Sequence, residues 1–203
     1  MKKLFLLVLL LSVSNIFAQY KPSSLHLKDG NVLKGFVKLM TLRDGIKFKK
    51  TSSDKPTIYT PDAINKFYLT EELNIENKPR EYTYKISINS SFSVLLEVVI
   101  TGQVSLYTRE IQMVSPAIPN GSGGFTNFRP NGTTLQYYIG VNGSNYAEKV
   151  SNKSKLRYRK FKKIVSRSFN KCAKLMNIAK NKKKYKNKTV EDIVRIYNES
   201  CAR

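Results

Sequence analysis

The hydrophobic period changes near residue 148, and no fold of a single class accommodates both sides of that change. Beyond it, Phe161, Ile164, Val165, Ser168, Cys172, Leu175, Met176 and Ala179 recur at steps of three and four. Side chains so spaced share one helix face, which predicts a helix from about Lys153 to about Lys180. Asn181 to Lys188 (NKKKYKNK) reads as a loop. Thr189 then offers an N-cap, with Asp192 three residues on and Glu191 in the positive first turn. Val190, Ile193, Val194, Tyr197 and Cys201 stripe a second helix, so residues 148–203 read as a basic helical hairpin.

Before residue 148 the period is two. Leu25 to Val37 (LHLKDGNVLKGFV) places two extended runs around Asp29-Gly30, a strong hairpin signal. Gly45 to Lys49 and Thr57 to Thr60 read as the next strands of one meander, separated by a turn at Asp54-Lys55-Pro56. Ala63 to Leu69 reads as a short turn or another strand, Glu71 to Pro79 as a loop, and Glu81 to Ile88 alternates again. Ser93 to Tyr107 holds two strands joined around Thr101-Gly102. Along the first of these, alternation puts Phe92, Val94, Leu96, Val98 and Ile100 on one core-facing side. Pro116 to Gly132 is too rich in Gly, Pro and Asn for a regular element and is expected to be a mobile loop. Thr133 to Val141 restores a strand and Asn142-Gly143 ends the β part. The expected class is α+β: an antiparallel β domain over residues 19–147, then the hairpin.

The first eighteen residues bear on location. Lys2 and Lys3, the apolar Leu4 to Leu11 and the small Ala18 read as a secretory signal peptide, cleaved before Gln19. No later stretch approaches the roughly 20 apolar residues of a membrane helix. The expectation is an exported protein, periplasmic or secreted and possibly peripheral to the outer membrane. Export lets a disulfide persist. Cys172 and Cys201 are the only cysteines, and both fall on the apolar stripes. In a hairpin they lie roughly 12 and 18 Å from the connecting loop, at about 1.5 Å per residue. An asymmetric loop absorbs that mismatch, so a Cys172–Cys201 bond is expected.

Charge narrows the partners. The chain carries a formal +22 over 203 residues. Within residues 148–203, 19 Lys and Arg stand against four acids, a balance of +15, while residues 19–147 hold only +5. The candidate anion-binding residues are Lys155, Arg157, Arg159, Lys160, Lys162, Lys163, Lys182, Lys183, Lys184 and Lys186. They would meet an anionic envelope component, or another exported protein would be the partner. A lysine-rich surface that is merely well solvated is the competing reading. The run Lys155 to Lys163 (KLRYRKFKK) superficially resembles nucleic-acid-binding segments, but Phe161 and Tyr158 are accounted for by core packing.

Catalytic signals are sparse. His26, the only histidine, alternates with Leu25 and Leu27 and is expected on a solvent-exposed polar face. One histidine and two bonded cysteines do not make the usual zinc sets, and no cofactor motif is present. Glu97, inside an apolar run, is the best carboxylate for a raised pKa, whereas Glu71 and Glu72 sit side by side on a presumed loop. The favoured expectation is a non-catalytic binding module. A carboxylate-dependent envelope hydrolase and a cationic membrane-active toxin are the alternatives.

Several short motifs occur in a suggestive order: LKDGNVLKGFV (Leu27 to Val37 within the first hairpin), the Pro-Asp-Ala-Ile run between Tyr59 and Phe67, LEVVITGQVSLY (Leu96 to Tyr107), Tyr137-Tyr138-Ile139, and Cys172 with the terminal YNESC (Tyr197 to Cys201). In that order the chain resembles a group of small exported proteins of Bacteroidota, mostly flavobacterial, without assigned function. The resemblance carries over no catalytic or ligand residues. The Gly/Asn-rich segment near residues 116–132 departs from the group's pattern.

Overall fold

The computed structural model describes residues 20–40, 45–74, 77–88, 90, 92–114, 130–185 and 188–202. The expected signal peptide, residues 116–129 of the expected loop, and Lys186 lie outside the described residues. Among the described residues, ten strands and four short helices make the fold α+β. The strands form a mixed sheet whose ladders, among the described residues, are antiparallel except for one parallel pairing. The chain divides into two compact units, residues 1–85 with 92–95 and residues 86–91 with 96–203.

The first unit begins with β1 (Lys21–Leu27) and β2 (Val32–Leu39), joined where the sequence predicts. The turn needs its glycine, because Gly30 sits at φ +92°, while the Asp29 carboxylate accepts from the Asn31 backbone at 2.9 Å. Then come β3 (Ile46–Lys49), β4 (Thr57–Tyr59), β5 (Ile64–Leu73) and β6 (Pro79–Ser87), the last belonging to this unit as far as Lys85. The meander holds only from β1 to β4. β5 returns to pair with β1, with Leu25 opposite Phe67, so the order is β6-β5-β1-β2-β3-β4. Of the ambiguous Ala63 to Leu69 run, Ala63 is a turn residue and Ile64 to Leu69 belong to a ten-residue strand, which also takes in Glu71 rather than leaving it to a loop. Leu25, Val37, Ile46, Phe48, Ile64, Phe67 and Leu69 form the core, with Tyr82 stacked on Phe67 at 5.2 Å.

The second unit is built from β7 (Ser93–Ile100, from Leu96 on), β8 (Val104–Val114), β9 (Pro130–Val141) and β10 (Tyr146–Ser151). Asn142-Gly143 does not end the β part. It turns β9 into β10, which carries strand structure past the expected boundary at residue 147. β10 also runs parallel to the end of β6, with Tyr146 opposite Ile86 and Ala147 opposite Ser87. Residues 130–132, expected in the loop, open β9.

A bulge corrects the expected faces of β7. Val98 pairs with Tyr107 and Ile100 with Leu106, so Val99 and Ile100 together oppose one residue. Both therefore meet the helix-covered core, and Ile100 leaves the face of Leu96 and Val98.

Among the described residues of this region, four helices replace the expected two: α1 (Tyr158–Ser168), α2 (Ala173–Lys180), α3 (Lys182–Tyr185) and α4 (Val190–Ser200). The long predicted helix breaks at Phe169, where the chain turns to bury that ring against Tyr197 at 4.9 Å. Ser168, placed on the stripe by periodicity, is exposed instead. Inside the expected loop, the Asn181 side chain accepts from the backbone of Lys183 at 2.9 Å and starts α3. Its reward is burial of Tyr185 against Phe161, ring centres 4.7 Å apart. α4 begins as predicted, with a reciprocal capping box between Thr189 and Asp192. Cys172 and Cys201 are bonded, Cα atoms 5.3 Å apart, linking the start of α2 to the end of α4.

Candidate anion-binding site

The segment between β10 and α1 is short, and its composition is one-sided. It runs Ser151-Asn152-Lys153-Ser154-Lys155-Leu156-Arg157. A second bulge shapes its start, since Lys149 opposes Tyr138 while Ser151 opposes Tyr137, leaving Val150 as the additional residue. Bulges re-aim a strand and are common beside sites. Ser151 is buried and its hydroxyl accepts from the Lys153 backbone at 3.0 Å, turning the chain away from the sheet. Two anchors return it to the helices: Leu156 is buried in the core, and the Ser154 carbonyl accepts from Val190 at 2.8 Å.

This geometry opens a cleft of about 510 Å³, lined by Lys149, Val150, Ser151, Asn152, Lys153, Lys155, Leu156, Arg157 and Lys160. Five of the nine are cations and none is an acid. Val150 and Leu156 are buried, whereas Lys153, Lys155, Arg157 and Lys160 are exposed. Glu148, the acid next to the cleft in sequence, is engaged by Arg167 of α1. α1 starts at the cleft with Arg157 as N-cap, without a side-chain cap and without an acid in its first turn. The positive end of its peptide dipoles is therefore uncompensated by protein groups of the first turn. Lys149 is half-buried, and burial, with the Lys160 and Arg109 charges, holds its ammonium below the ordinary lysine value. Positive charge is thus crowded against itself.

Three of the sequence-predicted residues, Lys155, Arg157 and Lys160, line the cleft. Arg159, Lys162 and Lys163 stand exposed on α1 outside it, with Lys162 over the Tyr158 ring at 5.8 Å. Lys182, Lys183 and Lys184 are exposed on α3. Lys149 and Lys153 were not singled out by sequence reasoning, because each stands outside the dense run that begins at Lys155.

The other candidates fall elsewhere. His26 is half-buried rather than exposed: its Nε2 lies 3.3 Å from the Ser24 hydroxyl and its ring meets Tyr68 edge-on at 5.4 Å. Glu97 is a half-buried residue of β7 opposite Thr108. Among the described residues, no three His, Cys, Asp or Glu gather as a metal site would require, and no helix is long and apolar enough to cross a membrane. Comparison with protein-family models, curated proteins and solved structures finds no match to the chain.

Proposed function

We propose that the protein is an exported, non-catalytic module whose second unit docks on an anionic component of the cell envelope. The observation that carries this reading is the cleft between β10 and α1, where five cations converge without an acid. Like charges held together cost free energy, and an anionic ligand removes that cost on binding. Arg159, Lys162, Lys163, Lys182, Lys183 and Lys184 extend the positive surface over α1 and α3. No cofactor or metal takes part.

Sedimentation of the oxidised protein with vesicles of phosphatidylglycerol or of phosphatidylcholine tests the proposal. The expected result is binding to the anionic vesicles alone, weakening from 0.02 to 0.15 M salt as the screening length contracts to about 8 Å. A variant with Lys155, Arg157 and Lys160 changed to Ala should bind less. Equal binding by that variant, or equal binding to both vesicles, would refute the proposal.

A further inference from the structure

The cleft's shape and charge say more about its ligand than a general attraction to anions, and the inference that follows rests on the reading above. An extended polyanion requires a long groove or a flat basic face. This is instead a half-open hollow of about 510 Å³ lined by one short segment, inside the range of small-molecule sites, about 300–1,000 Å³. It has two kinds of wall. Val150 and Leu156, almost wholly buried, back the cleft with apolar side chains, and the four exposed cations with half-buried Lys149 give a charged rim. A lone monoanion fills little of this volume and leaves most of the charge uncompensated.

Two phosphates on one small scaffold carry roughly three to four negative charges, at about 1.5 to 2 each, which suits five cations far better. Arg157 supplies the planar fork that binds phosphate through paired N–H donors, while the lysines act as mobile point charges. The start of α1, at Arg157 of the lining, lacks a side-chain cap and so leaves backbone donors available. We propose that the cleft recognises a compact group bearing two phosphates. Such a group occurs free in solution or as a lipid headgroup.

The test uses the full oxidised chain and three variants: Lys149→Ala with Arg157→Ala, Lys160→Ala alone, and Lys182→Ala with Lys183→Ala and Lys184→Ala. Arg157 and Lys160 are exposed, so Lys160→Ala reports on the cleft even if the Lys149 change perturbs folding. Calorimetric titration with pyrophosphate, orthophosphate and sulfate should give binding at least about tenfold tighter for pyrophosphate. Both cleft variants should lose at least about threefold of that affinity, and the α3 triple variant less than about twofold. Vesicles containing diphosphoryl or monophosphoryl lipid A separate the sources. Preference for the diphosphoryl lipid assigns a headgroup, whereas pyrophosphate binding without that preference assigns a soluble ligand.

Pyrophosphate no tighter than sulfate, or cleft variants that bind like wild type, would overturn the inference. If anionic vesicles still bind in either case, the broader docking proposal stands while the two-phosphate site falls. If neither small anions nor anionic vesicles bind, both fall.

Discussion

Asn198 substitutes for a missing piece of β-strand, and its removal has a cost that can be worked from the geometry. The β7–β8 ladder ends where Ile100 meets Leu106, so β8 starts with Val104 beyond the reach of β7. Val104 is buried, 7% exposed, and its backbone groups need partners there. The Asn198 amide of α4 supplies both: Oδ1 accepts from the Val104 N–H at 3.0 Å and Nδ2 donates to the Val104 carbonyl at 2.8 Å. Asn198→Ala leaves both groups unpaired. At about 1 to 3 kcal/mol for each buried group, lessened by partial water access, the loss is about 2 to 3 kcal/mol. With a urea slope of about 2 kcal/mol per M, the unfolding midpoint of the second unit should fall by about 1 M.

Gly102 gives an independent check, because a Cβ there would stand 2.2 Å from the Asn198 Nδ2. Gly102→Ala should therefore displace the amide and cost at least about 1 kcal/mol alone, yet much less in the Asn198→Ala background. Urea titrations of the four proteins, followed by near-ultraviolet circular dichroism, measure this cycle. A shift below about 0.2 M for Asn198→Ala, or strict additivity of the two changes, would refute the reasoning.

Three further outcomes follow from the second unit. Reducing Cys172–Cys201, which closes 29 residues of separation, should destabilise this unit by roughly 3 to 4 kcal/mol in the chain-entropy model, and thermal melts with and without reductant report it. Thr189→Ala breaks the capping box of α4 and should cost about 1 kcal/mol by urea titration. Lys149 sets a pH dependence. Its folded pKa lies below its unfolded value near 10.5, so the unfolded chain holds the proton more tightly. The resulting penalty is complete below the folded pKa and fades as pH rises towards 10.5. Lys149→Gln should therefore be more stable than wild type at pH 7, with the gap narrowing at pH 10, as measured by thermal melts.

Strands β1 to β4 were legible because alternation and Asp29-Gly30 act locally, and each is visible within a few residues. The return of β5 to β1 was not, since Leu25 opposite Phe67 is a pairing across more than forty residues. Bulges escaped for a related reason. One additional residue at Val99 or Val150 reverses the alternation, and only the partner strand reveals it. Helix periodicity found Phe161, Ile164, Val165, Leu175 and Ala179 but extended the stripe through Ser168, because the turn at Phe169 depends on burial against Tyr197 in another helix. The disulfide was readable from two cysteines on facing stripes. The cleft was half readable. Lys155, Arg157 and Lys160 stand out as a basic run, whereas Lys149 and Lys153 join them only because the bulged end of β10 folds towards α1.

The central claim is that anions are drawn to one cleft rather than to the basic surface at large. Two-dimensional amide NMR of the oxidised chain, titrated with pyrophosphate at 0.15 M salt, tests it most directly. The account predicts saturable shifts concentrated at Lys149, Val150, Ser151, Leu156, Arg157 and Lys160, with residues of α3 nearly still. Small, non-saturating shifts spread over α1, α3 and α4 alike would contradict it.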